Sequence, residues 1–315
     1  MNNNNNSLYK TNQLDNILYV GGNKDNIMRV IPESELILNP DGSIYHLKLR
    51  PEEVAPTIIT VGDPERVEAI TKHFDSVEVS KRNREFFTQT GLFKGQRITV
   101  VSTGIGTDNI DIVFNELDAL FNIDFNTRQV KEELTSLHFI RIGTSGTYRE
   151  EIPLDSFLVS EAAVGIDALM HFYDYHCAPE WRNFYMNFLN FWAVTRINVT
   201  PCLVECRSKL LEQLDDSFIK GITLTAPGFY APQGRNLRVE SKWSYLRDTI
   251  VPYEYEGKKF TNLEMETAGI YGLANAMGHT AISFNALIAN RMTGKFSEDP
   301  GKTVDELIVK VLGLL

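Results

Sequence analysis

Strands alternating with helices predict an α/β fold, read as a single three-layer α/β/α domain around a central mixed sheet. Short β-branched and apolar runs, such as Thr57-Ile-Ile-Thr-Val and Thr280-Ala-Ile-Ser-Phe-Asn-Ala-Leu-Ile, have the length and composition of buried strands. Between such runs lie amphipathic stretches, as where Ile110, Val113, Leu117, Leu120 and Phe121 recur at helical spacing. The chain of 315 residues is 43% hydrophobic and 23% charged, ordinary for a globular protein and long enough to bury a substantial core.

Residues 1–33 begin with five asparagines after Met1 and carry little apolar pattern, so composition predicts a mobile tail ahead of a domain over 34–315. Ser34-Glu-Leu-Ile-Leu leads to a turn at Asn39-Pro-Asp-Gly-Ser and then to Ile44-Tyr-His-Leu-Lys-Leu. After the strand at 57–61, Gly62-Asp-Pro-Glu-Arg reads as a turn into a helix, with Asp63 a fair N-cap and Pro64 suited to the first turn. A β pair over 85–93 and 97–102 is joined through Lys94-Gly-Gln, and an amphipathic helix covers 107–121. Leu137-His-Phe-Ile-Arg-Ile-Gly is the next strand, expected to end in the small-residue turn Gly143-Thr-Ser-Gly. Strand character returns at Phe157-Leu-Val-Ser. The stretch 171–192 is aromatic, holds Pro179 and shows no clear period, which predicts an insertion or mobile arm. A helix is expected over 203–214, strands over 221–225 and 280–288, and a final helix striped by Val304, Leu307, Ile308, Val311 and Leu312.

The net charge of −10 argues against broad binding to nucleic acid or anionic membranes, which need a positive field. Cys177, Cys202 and Cys206 are too few for a disulfide framework, and no His or Cys pair completes a zinc site. No positively charged start with an apolar core follows Met1, and no stretch approaches a membrane span, so the reading is a soluble, cytoplasmic protein.

Open α/β sheets bind ligands at the carboxyl ends of their strands. Those ends hold Gly62 and Arg66, then Arg141, Gly143 and Thr144, then Phe229, Gln233 and Arg235, and finally Asn290 and Arg291. Arg141 interrupts an apolar run, and either a salt bridge or an anion would satisfy it. Two arginines with a nest of backbone N–H groups suit a dianion such as phosphate, because guanidinium forks match its geometry. In Phe229-Tyr-Ala-Pro-Gln-Gly-Arg, an amide beside a guanidinium matches the carbonyl, N–H and carbonyl edge of uracil; a polar surface loop would read the same way. Glu264 and Glu266 flank Met265 where a helix begins, either as a helix cap or as a carboxylate aimed at a polyhydroxylated ligand.

In this order the segments resemble the nucleoside phosphorylase family, most closely its uridine phosphorylase branch, from about residue 45 to the C-terminus. Gly62-Asp-Pro-Glu-Arg-Val is similar to the family's first phosphate loop, implying Gly62 and Arg66 as phosphate contacts. Arg141-Ile-Gly-Thr-Ser-Gly resembles the family core, implying Arg141 and Thr144, and Asn83-Arg-Glu-Phe implies Arg84 reaching a neighbouring subunit's phosphate. Phe229-Tyr-x-x-Gln-x-Arg resembles the uracil-recognition pattern, implying Phe229, Gln233 and Arg235, with Arg291 as the remaining base-side arginine. Asn262-Leu-Glu-Met-Glu resembles the ribose segment, implying Met265 and Glu266, while Tyr45 and His46 would cap the ribose in a partner's site.

The activity so implied is reversible phosphorolysis of uridine in pyrimidine salvage, with Arg141, Glu266, Gln233 and Arg235 catalytic, inorganic phosphate as co-substrate and no cofactor. A homodimer or hexamer with shared sites is implied too. An N-ribosyl hydrolase of the same fold and a non-catalytic nucleoside-binding homologue are the alternatives. The chain departs from the pattern at three places. Asn83 stands where a His is common, and Ala226-Pro227 stands where purine-cleaving relatives carry an acid. At the positions of Glu85, Ile105 and Asn109 some members hold a monovalent cation at a dimer interface, with Ser at the last position.

Overall fold

The computed structural model describes residues 29–195 and 197–315. Fourteen strands are present among them: β1 (Thr57–Val61), β2 (Ser76–Asn83), β3 (Phe86–Phe93), β4 (Gln96–Ser102), β5 (Ile123–Asp124), β6 (Gln129–Val130), β7 (His138–Thr147), β8 (Phe157–Gly165), β9 (Cys202–Glu205), β10 (Phe218–Thr225), β11 (Glu254–Tyr255), β12 (Lys258–Glu264), β13 (Thr280–Asn290) and β14 (Lys295–Phe296). The helices are α1 (Glu65–Thr71), α2 (Thr107–Asn122), α3 (Arg182–Ala193), α4 (Leu246–Ile250), α5 (Thr267–Ala276) and α6 (Pro300–Leu312).

Twelve of the strands form one mixed sheet in the order β11-β12-β10-β8-β13-β7-β1-β4-β3-β2, with β14 on β13 and β9 on β8. Strand β12 also pairs back to β7 through Leu263 and Gly146, so β12, β10, β8, β13 and β7 close into a ring. That closure matters for the site, because it brings the ends of β7, β12 and β13 together.

Alternation along the strands creates the layers. Ile58, Val101 and Phe139 pack under α2 and α5, whereas Ile59, Val100 and Ile140 pack under α1 and α6. At roughly 25 cal/mol per Å2 of apolar surface, these two buried faces supply most of what opposes chain entropy. The three-layer α/β/α expectation holds, and one residue of register slip in β1 or β7 would exchange the two cores.

Several local expectations need correction. Residues 143–146 are not a turn: β7 runs on to Thr147, paired with β13 from Gly143 opposite Asn285 to Thr147 opposite Asn290, with a register shift between Leu287 and Ala289. The expected helix at 203–214 is strand β9, paired antiparallel with β8, followed by a short 3-10 turn over Lys209–Gln213. Leu203 and Val204 are buried by that pairing, which overrides the helical spacing. The aromatic stretch contains α3, which buries Phe184, Phe188 and Trp192 at i, i+4 and i+8 against Tyr253 and Phe260. It packs on the sheet and is no detached arm. The expected tail lies outside the described residues up to residue 28. Its last part is tied to the body, since Ile31 N–H donates to Arg128 O at 2.8 Å and the Arg128 Nε–H donates to Ile31 O at 2.8 Å.

Candidate active site

One cavity of about 930 Å3 opens at the ends of β7, β12 and β13. Its lining includes Gly62, Arg66, Arg141, Thr144, Phe229, Gln233, Arg235, Met265, Glu266 and Arg291, so residues spread over 230 positions of sequence are brought to one place.

The centre is Arg141 on β7, buried as its apolar flanks predicted. Its guanidinium Nη2 donates to Glu266 Oε2 at 2.6 Å and lies 3.1 Å from Glu264 Oε2, while Nη1 donates to Asn285 Oδ1 at 2.9 Å. The side chain folds back along its own strand over Gly143, where a Cβ would fall inside contact distance of the guanidinium. A side chain at i+2 on the same face would therefore push the guanidinium out of its present place. Burial alone would lower the Arg141 pKa, but Glu264 and Glu266 outweigh it and raise it above the ordinary arginine value.

The two glutamates have different surroundings. Glu264 Oε2 accepts from the backbone N–H groups of Glu266 and Thr267, both at 2.9 Å, and Oε1 accepts from the Thr225 hydroxyl at 2.6 Å. Its side chain thus satisfies two of the donors at the start of α5, those of the N-cap residue Glu266 and of the first helical residue Thr267. Glu266 Oε2 takes the Arg141 bond, and Oε1 accepts from Gly106 N–H at 2.9 Å. Gly106 sits at a φ of 98°, open only to glycine without strain, and it starts α2. Burial raises the Glu266 pKa; Arg141 opposes the shift and Glu264 reinforces it. A carboxylate offers about four acceptor positions, so Glu266 retains capacity for further donors.

Arg66, on α1 after the Gly62 turn, donates from Nη1 to Ile142 O at 3.3 Å; burial lowers its pKa. Asp63 Oδ1 accepts from Glu65 N–H at 2.9 Å at the start of this helix, but the N-cap position is Pro64, one residue later than expected. The Thr144 hydroxyl has no protein partner among the described residues.

On the loop after β10, a 3-10 turn over Ala231–Gln233 presents Gln233 and Arg235. The Arg235 guanidinium stacks 3.8 Å over the Phe229 ring, donates to Phe229 O at 2.6 Å and donates to Gln233 Oε1. Because a guanidinium carries donors only, the amide atom facing it must be the oxygen, which fixes the flip of Gln233. Among the described residues the Gln233 Nε2 group meets no protein acceptor. Burial, with Arg291 nearby, lowers the Arg235 pKa to about 10.

Tyr45, His46 and Arg84 do not line this cavity. They form their own cluster: Arg84 Cζ is 5.6 Å from the centre of the Tyr45 ring, and Asn83 Nδ2 donates to His46 O at 2.7 Å. His46 Nδ1 is 2.6 Å from Glu116 Oε1. Glu85, Ile105 and Asn109 do line the cavity, the first two exposed.

Gly106, Asn285 and Tyr148 were not singled out from the sequence. A signal existed for Asn285, since Ser283 and Asn285 put polar groups at i and i+2 of an otherwise apolar strand. Tyr148 lies beyond the expected end of its strand and gave none.

A cavity at strand ends, with four arginines, two buried glutamates and an unpartnered amide on its walls, defines an α/β enzyme for a small, polar, anion-bearing ligand. The chain belongs to the phosphorylase superfamily, whose family model matches residues 56–312. It is 32% identical over 275 residues to a uridine phosphorylase of Thermococcus kodakarensis, covering 86% of this chain and 87% of that one. A DeoD-type purine nucleoside phosphorylase of Colwellia psychrerythraea is 24% identical over 251 residues, covering 79% of this chain and 88% of that one. The solved nucleoside phosphorylase of Trypanosoma brucei, described as showing uridine phosphorylase activity, is similar at a TM-score of 0.79 and 26% identity, covering 89% of this chain and 98% of that one.

Proposed function

We propose that the protein is a uridine phosphorylase, a pentosyltransferase that cleaves uridine reversibly with inorganic phosphate to uracil and ribose 1-phosphate. The observation that carries this reading is one cavity holding both an anion site (the Arg66 cation with donors on Arg141 and Thr144) and the oriented Gln233–Arg235 pair. Phosphate is assigned to Gly62, Arg66, Arg141 and Thr144. Glu266 accepts from ribose hydroxyls, with Met265 against the sugar. The Gln233 amide nitrogen donates to one uracil carbonyl, its oxygen accepts N3–H through the lone pair Arg235 leaves free, and Arg235 donates to the second carbonyl. Phe229 stacks on the ring.

A phosphate oxygen attacks C1′ as the C1′–N1 bond breaks, and that bond's electron pair leaves on uracil. The sugar passes through oxocarbenium character that phosphate and Glu266 stabilise, while Gln233 and Arg235 take up the charge on the base. Purine departure calls for protonation of the base. The carboxylates on the cavity wall are Asp63, Glu85, Glu264 and Glu266, none of them on the Phe229–Arg235 loop, and position 226 is a buried Ala. Uracil leaves as a delocalised anion and needs no such acid.

The reaction consumes only nucleoside and phosphate, and the reading includes no cofactor. Because Tyr45, His46 and Arg84 lie off their own cavity, a homodimer or hexamer in which they complete a partner's site belongs to the same proposal, as does a cytoplasmic role in pyrimidine salvage. No helix among the described residues is long and apolar enough to cross a membrane. A panel of uridine, deoxyuridine, thymidine, inosine and adenosine with phosphate tests the reading. Uridine should be cleaved and the purine nucleosides left intact; inosine cleaved faster than uridine would refute the base-site assignment.

A further inference from the structure

Tyr148 stands one residue past the end of β7, the strand that carries Arg141, and only 3% of it is exposed. A buried tyrosine hydroxyl needs a partner, and this one donates to the main-chain carbonyl of Gln233 at 2.6 Å. The same carbonyl accepts from Arg291 Nη1 at 3.4 Å, and Arg291 Cζ lies 5.3 Å from the centre of the Tyr148 ring. The Arg291 backbone N–H donates to Thr147 O at 2.8 Å, so strand β13 delivers Arg291 to the tyrosine. Both base-side groups, one on a loop and one at a strand end, therefore meet at this phenol.

The loop needs such an anchor. Phe229, Tyr230, Leu237, Val239 and Tyr245 are all exposed, whereas Gln233 is buried. Gly234 follows it at a φ of 65°, and the turn's own bonds, Gln233 N–H to Tyr230 O and Gly234 N–H to Ala231 O, lie within the loop and do not tie it to the sheet.

We propose that Tyr148 is a positioning residue for the leaving base: its hydroxyl fixes the Gln233 main chain to the sheet, and its ring holds Arg291 beside it. This inference rests on the uridine phosphorolysis reading. Without the hydroxyl, the Gln233 carbonyl keeps only the longer Arg291 bond and the amide loses its fixed distance from the sugar. The defect should therefore lie in leaving-group stabilisation and not in phosphate binding.

The test is Tyr148→Phe, which keeps the ring and its burial. Expected is a fall in kcat/KM for uridine of about tenfold, the size of one net hydrogen bond lost behind a binding group, with the phosphate KM unchanged. With 5-fluorouridine, whose base anion is more stable, the fall should be smaller. In the background of Gln233→Ala, adding Tyr148→Phe should cost almost nothing, because the anchored amide is already gone. Thermal unfolding of each variant separates lost fold from lost positioning. Wild-type kcat/KM in Tyr148→Phe, an equal defect on both substrates, or full additivity with Gln233→Ala would each overturn the assignment. If the wild-type protein releases no uracil with phosphate, the functional reading fails instead, before any variant is compared.

Discussion

Around Arg141 the cavity is made of sheet: β7, β12 and β13 supply Arg141, Glu264 and Asn285, all buried, with Arg141 bridging the other two. Around Gln233 it is made of turn, with Arg235 half-buried and Phe229 exposed. The electrostatics differ in the same way. Arg141 is held above its ordinary pKa by two carboxylates, whereas Arg235 is pushed down to about 10 by burial with Arg291 nearby. Among the described residues Arg235 has no acidic partner. The first arginine is neutralised before a ligand arrives; the second awaits negative charge. On the proposed function, a base that leaves as an anion would supply that charge at the moment the bond breaks, and the loop end would then serve the transition state more than the substrate.

Replacing the two arginines should break the comparison most clearly. Arg141→Ala strands Glu264 and Glu266, a loss on the order of 3–5 kcal/mol in stability for a broken buried ion pair. Its kcat/KM should fall on the order of 10³-fold, with a lowered unfolding midpoint in a thermal melt. Arg235→Ala should lower kcat/KM on the order of 10²-fold, as for one transition-state donor, and leave the melt nearly unchanged. Equal loss of stability in both variants would remove the distinction between the two ends.

Asn285→Leu sharpens the sheet side. It removes the acceptor behind Arg141 Nη1, so the phosphate KM should rise severalfold, by about one hydrogen bond, with kcat close to wild type. Initial rates at varied phosphate check this.

The smallest effect is in pH. Burial raises the Glu266 pKa above 4.5, against Arg141 and with Glu264, so the group gains its proton as pH falls through that raised value. The ionised form accepts ribose hydroxyls, so its contribution is present above the raised value and lost below it. The ratio of wild-type to Glu266→Gln kcat cancels titrations common to both and should fall toward acid, with a midpoint above the ordinary carboxylate range; a flat ratio would contradict the role.

What the sequence showed and what it hid follow from distance along the chain. Gly62, Arg66, Gln233 and Arg235 follow strands that apolar runs reveal, and Arg141 and Thr144 lie within one, so they could be read in order. The partnership of Arg141 with Asn285 spans 144 residues and exists only because β7 and β13 lie side by side. Gly143 was legible as a small residue, but it spaces a side chain within a strand and does not make a turn. Helix α3 was hidden because its period is carried by Phe184, Phe188 and Trp192 alone, and β9 because Leu203 and Val204 fit either a helix face or a buried strand. The double glutamate was ambiguous locally, and the structure divides the two roles: Glu264 accepts from two donors at the start of α5 and Glu266 faces the cavity beside Arg141.

The most direct measurement follows uracil release from uridine by the purified protein as phosphate is raised from none. Expected is negligible release without phosphate, a saturable rise with it and ribose 1-phosphate formed in equal amount to uracil. Uracil release that is undiminished without phosphate, with free ribose as the product, would contradict it and assign the cavity to a hydrolase.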